Sequence, residues 1–519
     1  MHFDTPTHSL PGAPARSGRR LRWPAAAIAL LLIACSGADP QLAHASRTAP
    51  WPPTWQDQPG QGNDLAGNGV DFSPLRFTAP SARDCHRLPL TREVPGTDPQ
   101  WQRGAIGDEL KKMSRGEASD AVSRRKAAEP ATDKPMASGA AAPMAAPAIA
   151  SREEARQRHD VAPNAAAKAA RVTAAMVDDN ADFGEYMAYR QRQPSGMAVR
   201  ERDISERYLL EVTDAQGHPV HDAEVAVQRA GVAEPVMWAR TDTAGRVWLH
   251  PRAFLAPDAA GDRSLGVAVR KGGAQARTTL QRGQSQALQL QLGGLRGGTA
   301  GRPRLDLVFM VDATGSMGDE IAKLKASMHA MSQQIGQLPG QPDVCYGLVV
   351  YRDRGDAFLT RSHDFTDDLG AFQKALAQVQ AAGGGDTPEA LNEALSETVH
   401  QLSWRADAAR MVVMVADAPP HIDYGGPQYD RDMQAALAKG IKLFAVGASG
   451  LDPVGEYVFR QLAQYTAGRF VFLTYRDAAN PGSGPGTQTV HDVKQYSVQT
   501  LDRLVVRLVG EELSRLKLG

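Results

Sequence analysis

Long apolar runs alternate with helical patterns in the C-terminal part of the chain. Five runs are apolar at nearly every position: 305–311, 344–351, 411–416, 441–447 and 469–474. Such runs are typical of strands in a parallel sheet that is covered on both faces. Apolar residues recur every three or four positions in Gly318–Gln337 and Thr500–Leu516, which predicts amphipathic helices. A further helix is predicted with Pro388 at its first position. This part of the chain is therefore predicted to be an α/β domain.

In the middle of the chain, apolar residues recur at every second position. Seven short runs are predicted to be strands separated by turn residues: Tyr208–Val212, Ala223–Val227, Val236–Arg240, Arg246–Leu249, Leu265–Arg270, Arg277–Gln281 and Ala287–Leu292. So many short strands predict a small all-β sandwich. The string D-A-Q-G-H-P-V-H-D-A-E-V at 214–225 resembles bacterial immunoglobulin-like and carboxypeptidase-regulatory-like modules. That resemblance implies a spacer or binding module without catalysis.

A helix is predicted just before these strands. Phe183, Tyr186 and Tyr189 are three residues apart and share one helical face, with Asn180 or Asp182 as its N-cap. We interpret this helix as docking on the next domain. The helix and the sandwich together account for residues 175–298.

Residues 36–174 are rich in Ala, Pro, Arg, Glu and Ser. The run at 127–150 has too few large apolar side chains to offset the entropy lost on ordering. We therefore predict a low-complexity, largely disordered tether over 36–174. Such a tether would give reach to the domains that follow it.

The N-terminus has the pattern of an export signal over residues 1–35. Arginines precede an apolar run at 25–34, which is too short to cross a bilayer as a stable helix. The string Leu32-Ile33-Ala34-Cys35 resembles the bacterial lipobox, which implies that Cys35 carries lipid. Ser36 is not the aspartate that this resemblance associates with inner-membrane retention, so the outer membrane is expected if the cell is Gram-negative. Cleavage after Ala45, at an A-x-A string, is the alternative and would release a soluble periplasmic or secreted protein.

Charge and cysteine content narrow the functional classes. The 58 Lys and Arg residues balance 58 Asp and Glu residues, so no nucleic-acid partner is expected. The glycine hinge at 292–301 contains no lysine, which excludes a phosphate-binding P-loop. Besides Cys35, the chain contains Cys85 and Cys345. Cys345 is interpreted as a small buried thiol, and its pairing with Cys85 is left open.

Oxygen-bearing side chains follow two of the apolar runs and a glycine loop. Asp312, Thr314 and Ser316 alternate through the turn after the first run, Thr387 follows the glycine loop, and Asp417 follows the third run. Open α/β sheets bind ligands at the carboxyl ends of their strands, so these residues are expected to meet there. Hard oxygen donors without Cys or His suit Mg²⁺, with Mn²⁺ or Ca²⁺ as alternatives.

The order D-x-T-x-S, loop threonine and strand-end aspartate resembles the metal-ion-dependent adhesion site of von Willebrand factor type A domains. The resemblance covers residues 303–519 and implies a doubly wound, Rossmann-like α/β fold. It assigns the metal to Asp312, Thr314, Ser316, Thr387 and Asp417. The commonest family version has serine at position 314, and threonine keeps the hydroxyl. As the family has it, one coordination position stays open for a Glu or Asp from a partner protein.

The expected function is therefore non-catalytic: a lipid-anchored envelope protein that binds a protein partner through a divalent metal. The alternatives are an envelope scaffold with an incidental metal and a metal-dependent hydrolase. Against a hydrolase, the turn lacks the second aspartate of an aspartate-phosphatase turn, and neither G-x-S-x-G nor H-E-x-x-H occurs. Asp386, Glu389 and His421 would be the candidates for its general base.

The same domain contains two further features with a possible binding role. Arg354-Gly355-Asp356 is a tripeptide that some integrins bind. It follows a Y-R-D string that ends the same strand in other type A domains, so we interpret it as a structural loop. His421 and Tyr424 follow Asp417 and are candidates for partner selectivity.

Overall fold

Continuous apolar strands and amphipathic helices recur through the computed structural model, which describes residues 85–96, 172–232, 234–256, 262–285, 287–295, 301–385 and 387–516. All of them belong to one unit, Pro52–Gly519. The export signal, Cys35, Ala45, Asp386 and most of the predicted tether lie outside the described residues.

The strands are β1 (Thr91–Val94), β2 (Thr173–Val177), β3 (Tyr208–Thr213), β4 (Glu224–Arg229), β5 (Pro235–Arg240), β6 (Arg246–Leu249), β7 (Ser264–Lys271), β8 (Ala274–Gln281), β9 (Leu288–Gln291), β10 (Arg304–Asp312), β11 (Asp343–Tyr351), β12 (Thr360–Thr366), β13 (Ala409–Ala416), β14 (Ile441–Gly447), β15 (Arg469–Asp477), β16 (Asn480–Pro485) and β17 (Gln499–Thr500). The α-helices are α1 (Phe183–Arg192), α2 (Pro251–Phe254), α3 (Ile321–Gly336), α4 (Leu369–Ala377), α5 (Leu391–His400), α6 (Tyr429–Ala438), α7 (Pro453–Tyr465) and α8 (Leu501–Arg515).

A mixed ten-stranded sheet forms the centre of the C-terminal domain. Its order is β1-β12-β11-β10-β13-β14-β15-β2-β17, and β16 pairs with β15. The five strands predicted from apolar runs, β10, β11, β13, β14 and β15, pair in parallel. Strands β1, β12, β2 and β17 extend the sheet antiparallel at its two sides. The sheet therefore has a parallel centre and antiparallel edges.

Both faces of this sheet are covered by helices. Along β10, Leu307 and Phe309 belong to a core shared with α3, α4 and α8, whereas Val308 and Met310 face α5, α6 and α7. Side chains on both faces are thus buried, which explains why the strand is apolar at nearly every position. The α/β interpretation is confirmed, and the architecture is compatible with a Rossmann-like fold.

Two predicted helix starts differ from the structure. The segment predicted as a helix from Gly318 begins with a 3₁₀ turn at Gly315–Asp319, and α3 starts only at Ile321. Helix α5 starts at Leu391, so Pro388 is not its first residue. Both starts are delayed because the preceding residues make loop contacts around the candidate site described below.

Each of the seven short runs of the middle region overlaps a strand, and Ala223, Ala287 and Leu292 lie just outside β4 and β9. The strands form a three-stranded sheet, β6-β3-β9, and a four-stranded sheet, β5-β4-β7-β8. Their identity as an immunoglobulin-like or carboxypeptidase-regulatory-like sandwich stays a prediction. Asp222 of this region accepts hydrogen bonds from Arg410 at the start of β13, at 2.8 and 3.2 Å. Thr243 donates to Glu512 of α8 at 2.8 Å, which adds a second buried contact with the α/β domain.

Helix α1 is present, with Asp182 as its N-cap, accepting from the backbone N–H of Glu185 at 3.2 Å. Its docking on the next domain stays a prediction; just before β3, the Arg207 guanidinium lies 3.6 Å from the Phe183 ring centroid. Tyr189 stacks on Tyr457 of α7, and the guanidinium of Arg460 lies 3.7 Å from the Tyr189 ring centroid. The helix therefore packs on the α/β domain, because that domain offers a matching aromatic and cationic surface.

The predicted boundaries of the tether are also corrected. Strand β2 starts before position 175 and belongs to the central sheet, paired with β15 and β17. Residues 85–96, called the strap from here on, follow the edge of the same sheet through β1. A disulfide joins Cys85 to Cys345, with the Cα atoms 6.1 Å apart, so Cys345 is not a free thiol. Long-range pairing orders these segments although their composition resembles that of a linker.

Within the described residues, no helix combines the length and apolarity needed to span a bilayer.

Candidate metal centre

The turn after β10 presents oxygen atoms at the carboxyl edge of the sheet. Asp312 and Thr314 are fully buried, and Ser316 is exposed. Asp312 Oδ1 accepts from Thr314 N at 2.9 Å and from Thr314 Oγ1 at 2.7 Å. The hydroxyls of Thr314 and Ser316 are 3.1 Å apart. The predicted D-x-T-x-S residues therefore form one cluster that extends from the interior to the surface.

The glycine loop packs directly against this turn. Gly315 N donates to Gly383 O at 2.9 Å, and a Cβ on Gly315 would lie 2.8 Å from that oxygen. Gly384 has a positive φ of 67°, and its own Cβ would lie 3.1 Å from Thr314 Cβ. Only glycine allows so close an approach of the two backbones. Thr387, in the same loop, is exposed.

Asp417 joins the cluster from the neighbouring strand. Strands β10 and β13 are parallel, with Val311 opposite Val415, so Asp312 and Asp417 emerge at the same edge. Asp312 Oδ2 and Asp417 Oδ1 are buried, and neither has a hydrogen-bond partner within the described part of the chain. Buried carboxylate oxygens ordinarily have partners, so these two indicate a missing positive group.

The carboxyl groups in and beside the cluster have raised pKa values, which agrees with their unpartnered oxygens. Burial, and then the charge of Asp417, raise the pKa of Asp312 to about 7. Burial also raises the pKa of Asp417. Glu389 is affected most: burial, followed by the charges of Asp312 and Asp353, raises its pKa to about 9. A cation bound here would favour the ionised carboxylates and reverse these shifts.

Several acidic residues around the cluster were not assigned to the metal by sequence. Glu389 and Asp353 are each 3% exposed, and each has a carboxylate oxygen without a partner in the described segments. Glu320 accepts hydrogen bonds from the Tyr475 hydroxyl and from Ser449 N. Glu389 follows Thr387 by two positions and Asp353 ends the Y-R-D string, so the motifs located them without revealing that they were buried.

The donor set fits a hard divalent cation. The cluster combines the carboxylates of Asp312 and Asp417 with the hydroxyls of Thr314 and Ser316, and Thr387 lies in the adjoining glycine loop. No group of three or more His, Cys, Asp or Glu residues is arranged to hold a metal among the described residues. The five predicted residues contain only two carboxylates, so they do not form such a group. Hydroxyl and carboxylate oxygens are ligands that Mg²⁺ accepts.

The loop after Asp417 forms a stack beside the cluster. The rings of His421 and Tyr424 lie 3.5 Å apart at 11°, and the Arg354 guanidinium lies 3.8 Å from the Tyr424 centroid. Tyr424 donates to Asp353 Oδ2 at 3.1 Å. His421 is only 5% exposed, so it packs against the Tyr424 ring and has little surface available for a partner. A role of the pair in partner selectivity stays a prediction.

The same stack accounts for the Arg354-Gly355-Asp356 tripeptide. Arg354 also donates to Glu393 Oε1 at 3.2 Å, and Asp356 accepts from the backbone of Asp353 and Gly384. Both charged side chains are held by contacts within the chain. These contacts support the interpretation as a structural loop.

Comparison with known proteins agrees with the geometry. A family model of the von Willebrand factor type A domain matches residues 306–479. The human von Willebrand factor A domain-containing protein 7 is 40% identical over 95 residues, 18% of this chain and 10% of that protein. Alpha-protein kinase vwkA of Dictyostelium discoideum is 29% identical over 118 residues, 22% of this chain and 19% of that protein. An ariadne-like RING finger protein of Acanthamoeba polyphaga mimivirus is 37% identical over 122 residues, 22% of this chain and 11% of that protein.

The chain spans at most 19% of the length of these relatives, so the likeness concerns the domain alone. The matched residues contain the mixed sheet, the D-x-T-x-S turn and Asp417. Residues 306–479 form a von Willebrand factor type A domain, a module that typically mediates protein–protein interaction.

Proposed function

We propose that this domain binds a protein partner through a divalent cation, with Mg²⁺ as the preferred ion. The ion would be held by Asp312, Thr314, Ser316, Thr387 and Asp417. The observation that carries the proposal is the pair of buried, unpartnered oxygens Asp312 Oδ2 and Asp417 Oδ1. When bound, the ion supplies a Lewis acid that can accept a carboxylate of the partner.

The exposure of the ligands supports recognition from outside. Asp312 and Thr314 are buried, whereas Ser316 and Thr387 are exposed, so the donor set reaches the protein surface. An ion held there would be accessible to a protruding Glu or Asp side chain. Because only two of the five donors are carboxylates, the ion would keep net positive charge for that acidic ligand.

We also propose that the protein is exported and anchored in the bacterial envelope by lipid on Cys35, with cleavage after Ala45 as the alternative. The n-region, the short apolar run and the lipobox-like string support this proposal. The Cys85–Cys345 disulfide is consistent with an oxidising compartment. The long segment between Cys35 and Cys85 would then place the domain away from the membrane.

The test is a pull-down from envelope extract with the purified chain as bait, in Mg²⁺ and in EDTA. Asp312→Asn removes a predicted ligand, and Asp477→Asn is the matched control because Asp477 is exposed and distant in sequence from the turn. We expect a protein retained by the wild type and by Asp477→Asn in Mg²⁺ only. If the same proteins are retained under every condition and by both variants, the domain is a scaffold and its metal is incidental.

A further inference from the structure

The strap lies along the outer strand of the type A sheet, although it precedes the matched domain by more than two hundred residues. Strand β1 pairs antiparallel with β12 from Thr91–His363 to Val94–Thr360. His86 N donates to Phe365 O at 3.2 Å, and Leu359 N donates to Val94 O at 2.8 Å. The Cys85–Cys345 disulfide fixes the start of the strap to β11. The strap is therefore fixed by a covalent bond at one end and by backbone pairing along its length.

The other end of the strap reaches the loop beside the metal centre. Gly355 N donates to Gly96 O at 2.9 Å. Gly96 is buried, and a Cβ built on it would lie 2.3 Å from the backbone oxygen of Asp356. Any side chain at position 96 would thus displace the backbone of Asp356.

Asp356 in turn holds the glycine loop. Its Oδ2 accepts from Gly384 N at 2.8 Å and from Asp353 N at 3.1 Å. Its carboxylate fills the space beside Gly383, where a Cβ would lie 2.2 Å from Asp356 Oδ1. Gly383 O then accepts the hydrogen bond from Gly315 N in the metal turn. The connection from strap to turn is continuous through backbone atoms and one side chain.

We propose that the strap is a positioning element of the metal centre, and that it acts through Gly96 and Asp356 on the glycine loop that carries Thr387. This inference rests on the proposed metal site and extends it to residues outside the family domain. It predicts that the metal affinity of the Asp312 turn depends on the strap, although no strap residue is among the proposed ligands.

The decisive variant is Gly96→Ala in the full chain. The added methyl group displaces Asp356 and, through it, the Gly383–Gly384 backbone that contacts Gly315. Gly273→Ala is the matched control, since a Cβ at Gly273 has no atom within 4 Å. Binding of Mn²⁺ is measured by titration calorimetry, and folding by far-UV circular dichroism and thermal unfolding.

We expect Gly96→Ala to bind Mn²⁺ about tenfold more weakly than the wild type, the size typical of residues that support metal ligands. Gly273→Ala should bind like the wild type. Equal affinity of Gly96→Ala and the wild type overturns the role of the strap and leaves the metal site intact. If the wild type itself binds no Mn²⁺, the proposed function fails, and the strap inference fails with it.

A second variant decides the question if Gly96→Ala does not fold. Cys85→Ser releases the start of the strap without adding atoms near Asp356. A weaker Mn²⁺ affinity with an intact circular dichroism spectrum supports the inference. An unchanged affinity in folded Cys85→Ser contradicts it.

Discussion

Strand β10 has a buried aspartate near each end, and the two differ in their hydrogen-bond partners. Near its start, Asp306 is fully buried and accepts from Arg405 N and Arg405 Nε, each at 2.6 Å. At its end, Asp312 is equally buried and has an oxygen without any partner in the described residues. The first end satisfies its charge with an arginine of the same chain. At the second end, the described part of the chain brings no Lys, Arg or His into an ion pair with Asp312.

The boundary with the β-strand region follows the first pattern. Burial alone would raise the pKa of Asp222, but Arg410, Arg240 and Lys271 outweigh it and hold the pKa well below its usual range. Its carboxylate is therefore ionised and paired. A complete network holds two parts of a structure together, whereas an incomplete one at an edge is suited to an external ion.

The largest change in stability is expected when the arginine partner of Asp306 is removed. Arg405→Leu leaves Asp306 buried without its partner, and we expect the free energy of unfolding to fall by about 3–5 kcal/mol. Urea denaturation measures it. The double variant Arg405→Leu/Asp306→Leu should recover part of the loss, because the buried carboxylate of Asp306 is gone while Asp343 still loses its ion pair with Arg405. A loss below about 1 kcal/mol for the single variant would contradict the importance of this pair.

Removing the carboxylate at the unpaired end should change the free energy of unfolding in the opposite direction. Asp312→Asn in EDTA should raise the free energy of unfolding by about 1–3 kcal/mol, since a buried carboxylate oxygen without a partner among the described residues is costly. In Mg²⁺ the same variant should lose the stabilisation that the ion gives the wild type. Thermal unfolding with and without Mg²⁺ compares the two. A variant less stable than the wild type in EDTA would show that Asp312 is satisfied without metal.

The pH dependence of stability should also distinguish the unpaired end of β10. Folded-state pKa values of about 7 for Asp312 and about 9 for Glu389 exceed their ordinary values of 3.8 and 4.5. Between these limits the native state binds more protons than the unfolded state, so these groups make stability fall as pH rises. In EDTA, the wild type should lose at least about 1 kcal/mol more than Asp312→Asn between pH 5 and pH 8. Parallel pH profiles of the two proteins would exclude Asp312 as the cause.

The smallest effect is expected beside the site. Arg354→Lys keeps the charge but loses the planar stacking on Tyr424, so stability should fall by about 1 kcal/mol. Urea denaturation of this variant, next to the exposed control Arg431→Lys, measures the difference. Equal losses in both would show that the stack contributes nothing.

The sequence predicted the parallel centre because its strands are buried on both faces and therefore almost wholly apolar. It missed β12, in which Ser362 and Asp364 are buried, with Ser362 donating to Glu397 and Asp364 Oδ1 accepting from Ser403 N. A polar strand of this kind is visible only after its partners are known. The strap was missed for the same reason, since its order comes from a disulfide and from pairing with β12.

For the candidate site, too, the sequence predicted one part and missed another. Spacing predicted the five ligands, and the structure joins three of them, Asp312, Thr314 and Ser316, in one cluster. The orphaned oxygens and the raised pKa of Glu389 depend on burial, which requires the folded structure. The docking of α1 on α7 depends on the shape of a distant surface, and no local pattern encodes that shape.

The disulfide also determines how the molecule transmits mechanical tension. A pull on the chain before Cys85 passes through the sulfur–sulfur bond to Cys345, in the interior of β11. The two cysteines are 260 positions apart, and the intervening chain, which includes β2 and the whole β3–β9 region, is bypassed while the bond is intact. From β11 the tension crosses directly to β10, the strand that ends in Asp312. A pull between a tethered N-terminus and a partner held at the metal would thus be borne by the centre of the sheet.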